Sequence, residues 1–75
     1  MARFFFDLRE GASVLRDDEG VELANAEAAE LQAVKAAAAI AEENFRKGNR
    51  AVEINVREDS RPAFKISLRV DVDRA

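Results

Sequence analysis

From Asn25 to Lys47 the chain runs without a glycine or proline, and Gly48 closes the run. Nine alanines lie inside it, at positions 26, 28, 29, 33, 36, 37, 38, 39 and 41. Alanine gives up no side-chain entropy on entering a helix, so this stretch predicts one long helix. Both of its ends carry start and stop chemistry. Asn25 can accept a hydrogen bond from a free backbone N–H of the first turn, and Glu27 and Glu30 complement the positive end of the helix dipole. Arg46 and Lys47 sit at the negative end, and Gly48 can adopt the left-handed conformation that terminates a helix. At about 100° per residue, Leu31, Val34, Ala37, Ala38, Ala41 and Phe45 share one broad side, which is the side expected to be buried. Gln32, Lys35, Glu42, Glu43 and Arg46 share the other. At ~1.5 Å per residue the helix spans roughly 33 Å, enough to cross a small sheet from end to end.

Everything outside that run is short and alternates with a period of two. Phe4, Phe6 and Leu8 fall on one side of the opening segment, with Arg3, Phe5, Asp7 and Arg9 on the other. Glu10-Gly11-Ala12-Ser13 is turn chemistry, and Val14-Leu15-Arg16 makes a short return strand. Asp17-Asp18-Glu19-Gly20 reads as an acidic loop, followed by an extended Val21-Glu22-Leu23 that leads into the Asn25 cap. Beyond the helix, Val52, Ile54 and Val56 alternate with Glu53, Asn55 and Arg57. After the turn Glu58-Asp59-Ser60-Arg61-Pro62, the alternation Phe64, Ile66, Leu68, Val70, Val72 continues almost to Ala75. That last strand is expected to outrun its partners.

The element order is therefore two strands, a helix and two strands in a single domain over residues 1–75. The expected fold class is α+β. It is a two-layer sandwich in which an antiparallel or mixed sheet buries one apolar face under the helix and leaves the other to solvent. A chain of 75 residues buries only about 60% of its unfolded surface. With no cysteine, no disulfide can reinforce it, which leaves association as the available means of burying more.

The opening Arg3-Phe4-Phe5-Phe6-Asp7-Leu8-Arg9, the segment Asp17-Asp18-Glu19-Gly20-Val21-Glu22-Leu23, the alanine-rich helix and the final hairpin with Val52-Glu53-Ile54 and Phe64-Lys65-Ile66 resemble a family of small bacterial proteins, the domain of unknown function DUF6894. The resemblance covers nearly the whole chain and implies the same fold, with no activity attached. Members of that family more often carry tyrosine and histidine where this chain has Phe5 and Asp7.

The residue inventory argues against catalysis. Histidine, cysteine, tyrosine, tryptophan and threonine are all absent, so a nucleophile would have to be a serine or lysine without the usual general base. The three glycines stand alone at turns and form no phosphate loop or dinucleotide fingerprint, and no cofactor is expected. Asp17, Asp18 and Glu19 are the only acidic cluster with a turn glycine, but adjacent carboxylates do not converge easily on a cation, and a solvated turn is the simpler reading. The net charge of -3 gives no general attraction to nucleic acid or membrane. No apolar run approaches the length of a membrane span, and the start is charged too soon for a signal peptide, so a cytoplasmic protein is expected.

The outward sheet face offers the candidate interaction residues. Arg3, Arg9, Arg57, Lys65 and Arg69 there face only Asp7 and Glu53, while residues 10–22 gather acids. With Phe5 among the cations, this face can stack a base and hold phosphates, or it can meet an acidic patch on another protein. Single-strand binding sheets usually present two or three aromatics and this one presents one. The stronger reading is a self-associating or protein-binding module, because Phe5 and the overhanging Val70 and Val72 leave apolar surface to cover. A regulatory, antitoxin-like role is an analogy from fold alone.

Overall fold

The computed structural model covers residues 1–75 and contains β1 (Ala2–Glu10), β2 (Ser13–Leu15), β3 (Val21–Leu23), α1 (Ala26–Phe45), β4 (Ala51–Glu58) and β5 (Arg61–Arg69). All strand pairs are antiparallel, in the order β2-β1-β4-β5 with β3 also on β1. β4 occupies one side of β1, from Phe4↔Glu58 to Arg9↔Glu53, so β2 and β3 must share the other. β2 takes its far end (Leu8↔Leu15, Glu10↔Ser13) and β3 its near end (Ala2↔Leu23, Phe4↔Val21). The α+β sandwich is as the alternation predicts, with Val21–Leu23 promoted from an extended lead-in to a paired strand.

The inward residues are those the period of two selects. Phe4, Val52, Ile54 and Val56 are buried, and Phe6, Leu8, Phe64, Ile66 and Leu68 pack around them half-buried. A bulge at Val56/Arg57 marks the start of β5, where Arg57 lies opposite Pro62 and Val56 opposite Phe64. The β4–β5 turn is made at Asp59, whose φ of 56° lies in the left-handed region that aspartate tolerates better than most residues. Its N–H donates to the Arg3 carbonyl at 2.8 Å.

The helix begins as its caps predict, with the Asn25 side chain accepting from the Ala28 N–H at 2.9 Å. It packs over β4, β5 and β3. The face it buries is rotated by about a quarter turn from the expected one. Ala29, Ala33, Ala37, Ala41 and Asn44 are buried, whereas Leu31, Val34 and Phe45 are 59%, 49% and 38% exposed and Ala38 is exposed too. Alanine explains the choice. A stripe of methyl groups lets the helix backbone settle close to the large side chains of the sheet, Phe4, Ile54 and Val56, which already fill the space between the layers. Leucine or phenylalanine on that stripe would hold the helix away. Asn44 is the one buried polar residue, and its Nδ2 donates to Glu10 Oε2 at 2.6 Å, tying the helix end to the end of β1. No helix is long and apolar enough to cross a membrane.

Candidate interaction surface

The sheet has two edges, and they are finished differently. On the β1 side, β2 and β3 leave Phe5, Phe6 and Asp7 between them without a strand partner. Asp17 fills that gap. Its Oδ2 accepts from the Phe6 N–H at 3.1 Å, its Oδ1 accepts from the N–H groups of Glu19 and Gly20 at 3.1 Å each, and its own N–H donates to Asp7 Oδ1 at 2.9 Å. One aspartate thus gives the Phe6 N–H the acceptor that a strand residue would have offered, and its own N–H ties the plug to the Asp7 side chain.

Arg57 joins this plug from the outward sheet face. It donates to both oxygens of Asp7, at 2.8 and 3.1 Å, and to the Asp17 carbonyl at 2.9 Å, while its guanidinium lies 4.7 Å from the centre of the Phe5 ring. The side chains of Arg57 and Asp7 are only 17% and 13% exposed. The hydrogen bond from Arg57 holds the Asp7 carboxyl below the ordinary 3.8 of an aspartate, against the opposing effect of partial burial. Partial burial works to raise the Asp17 carboxyl, and the N–H groups of Phe6, Gly20 and Glu19 outweigh it, so Asp17 also titrates below 3.8. Gly20 sits against the other constituents of the plug. A Cβ there would lie 2.8 Å from Phe5 Cε2 and 2.9 Å from the Phe4 carbonyl, and its φ is +68°.

The cationic outward face expected from the alternation is consequently not a bare patch. Arg57 is committed to Asp7 and Asp17, and Phe5 is half-buried under it. Arg3 donates to the Glu19 carbonyl at 2.8 Å and pairs with Glu22 at 3.2 Å. Lys65 stands 3.8 Å from Glu53, Arg69 is 3.0 Å from Asp71, and Arg9 reaches the Gly11 carbonyl at 3.4 Å. The acidic loop is likewise not a merely solvated turn, since Asp17 is the plug itself, and no three acidic side chains converge as a metal site would require.

The β5 edge has no such closure. Only β4 pairs with it, from Ala51↔Arg69 to Glu58↔Arg61. The Val70 N–H donates to the Arg50 carbonyl at 2.9 Å, which fixes the alternation. The backbone groups of Phe64, Ile66 and Leu68 turn towards β4, and those of Lys65, Ser67 and Arg69 turn outwards without a strand partner. Ala38, Ala41 and Phe45 of α1 form an apolar groove with Leu68 and Val70 along this edge. Val34 and Leu31 continue the exposed apolar stripe towards the helix N-terminus, and Val72 overhangs at 54% exposure. Of the residues expected to interact, Lys65, Arg69, Val70 and Val72 lie here, whereas Arg3, Phe5 and Arg9 are on β1 and Arg57, on the central β4, reaches across to the Asp17 plug. Leu31, Val34 and Phe45 are surface residues, contrary to expectation, because periodicity locates an apolar side without saying which of two neighbouring stripes faces the sheet.

A family model described as a domain of unknown function, DUF6894, matches residues 3–69, from the second residue of β1 to the last residue of β5. No curated protein and no solved structure matches the chain.

Proposed function

The chain belongs to the DUF6894 family, and we propose that it is a non-catalytic, self-associating interaction module of the bacterial cytoplasm that binds through its β5 edge. The observation that carries this reading is the coincidence of two unsatisfied surfaces on one side of the molecule. The outward N–H and C=O groups of Lys65, Ser67 and Arg69 lack strand partners, and the exposed Leu31, Val34, Ala38 and Phe45 run along the neighbouring flank of the helix. An added strand would satisfy the first while its covering layer buried the second. The need is quantitative as well, because only 9 of 75 residues are buried, leaving a small core that gains from further burial.

Nucleic-acid binding through the outward face has less support. The one aromatic of that face is stacked beneath Arg57, and Arg3, Arg57, Lys65 and Arg69 each lie beside a carboxylate of the same chain. A binder of single strands needs its bases to reach an open ring and its phosphates to reach free cations.

Light scattering across a wide concentration range tests the proposal. The mass is expected to rise from one chain to a defined small oligomer. Ser67→Pro removes an outward N–H and leaves the ladder to β4 intact, so this variant should fold and remain a single chain. A wild-type chain that stays monomeric when concentrated, or an oligomer indifferent to Ser67→Pro, contradicts it.

A further inference from the structure

Granted that β5 is the binding edge, the geometry points to its occupant: we propose a second copy of this chain, paired antiparallel with β5 about a two-fold axis through Leu68. The segment beyond the bulge reads Phe64-Lys65-Ile66-Ser67-Leu68-Arg69-Val70-Asp71-Val72, and its five apolar residues are centred on Leu68. An axis there sets Leu68 against its own copy, Ile66 against Val70 and Phe64 against Val72, all on the inward face. On the outward face it sets Lys65 against Asp71 and Ser67 against Arg69, so no like charges oppose one another. Moving the axis one residue breaks the match. Centred on Ser67, Lys65 faces Arg69; centred on Arg69, that arginine faces itself. Centred on Ile66, the pairing runs into the bulge at Pro62 and leaves Val72 without a partner.

The backbone parity agrees. Ser67 and Arg69 both direct their N–H and C=O groups outwards, and the axis through Leu68 makes them a hydrogen-bonded pair. Leu68, which bonds to β4, falls on a non-hydrogen-bonded pair. Pairing then extends β5 through Val70, Asp71 and Val72, residues that lie outside any strand in the single chain.

The second layer fits as well. Because α1 packs over β4 and β5, with Ala38, Ala41 and Phe45 beside Leu68 and Val70, its C-terminal half lies at the β5 edge. In the continued sheet the C-terminal halves of the two helices would therefore approach each other across the axis. Around the axis the facing sides carry Ala38 and Phe45, with Glu42 and Arg46 of the same groove, and Ala38 is small enough to admit the larger Phe45 of the second copy.

Cysteine cross-linking tests the register directly, because the natural chain contains no cysteine. In Leu68→Cys the two sulfur-bearing residues would sit across a non-hydrogen-bonded pair, with Cα atoms about 4.5 Å apart, and should oxidise to a disulfide dimer. Ile66→Cys and Val70→Cys alone should not cross-link, each lying about 14 Å from its own copy, but a mixture of the two should. The mixture also guards against a folding defect in Leu68→Cys. Lys65→Asp should weaken the dimer about tenfold by placing like charges together twice, and adding Asp71→Lys should restore it. A dimer that is lost in Ser67→Pro yet cross-links through Ile66→Cys or Val70→Cys alone overturns the register and leaves the β5 edge as the binding surface. A dimer untouched by Ser67→Pro overturns the edge reading itself, and a chain that is monomeric at every concentration overturns the second copy.

Discussion

The two outer edges of this sheet face the same physical problem, a row of unpaired backbone groups, and meet it in opposite ways. The β1 edge is covered by two three-residue strands and by Asp17, which caps Phe6 and anchors Asp7 between them. The β5 edge is longer, nine residues, and beyond the bulge it carries no proline, no inward charge and no covering segment. The helix sharpens the contrast, since its exposed apolar stripe runs alongside β5. A chain able to close one edge with two three-residue strands and an aspartate has the means to close the other. That the open edge is also the apolar one is what supports the proposal that association takes place there.

If the β1 edge is closed by tight local packing, damaging the plug should cost the most. Gly20→Ala forces a methyl against the Phe4 carbonyl, which cannot rotate away, at a φ that disfavours a side chain. We expect a loss of about 3 kcal/mol in urea unfolding. Asp17→Ala removes the acceptor for three N–H groups and should cost about 2 kcal/mol, with the Phe6 amide becoming exchangeable. The plug should also make the fold acid-sensitive. Asp7 and Asp17 titrate lower when folded than when unfolded, so the stability they contribute is present above about pH 4 and lost as pH falls below it. Asp7→Asn should flatten that acid limb in a pH series of urea midpoints. The smallest effect on stability is expected at the other edge. Leu31→Gln with Val34→Gln should change the unfolding of the isolated chain by no more than about 0.5 kcal/mol, because both residues are exposed, while lowering the associated mass seen by light scattering.

Much of the architecture was legible in residue order because local chemistry and burial agree. The period of two names Phe4, Ile54, Val56 and Ile66 as inward, and Asn25 and Gly48 bracket the helix as their conformational preferences require. What escaped was long-range or a matter of degree. Asp17 followed three residues later by glycine signals a turn, but nothing local says that its carboxylate will reach the Phe6 N–H across the chain. Arg57 reads as a free cation from its alternation, and only the register Phe5↔Arg57 shows that Asp7 and Phe5 are within its reach. The buried helix stripe was misplaced because alanine scores as weakly apolar, whereas close approach to a crowded sheet rewards its size.

Hydrogen exchange at two amides, followed as the protein is diluted, tests the comparison most directly. Phe6 N–H, held by Asp17, should be protected equally at all concentrations. Ser67 N–H should exchange freely when the chain is dilute and become protected as it is concentrated. A fast-exchanging Phe6, or a Ser67 whose exchange ignores concentration, would contradict the account.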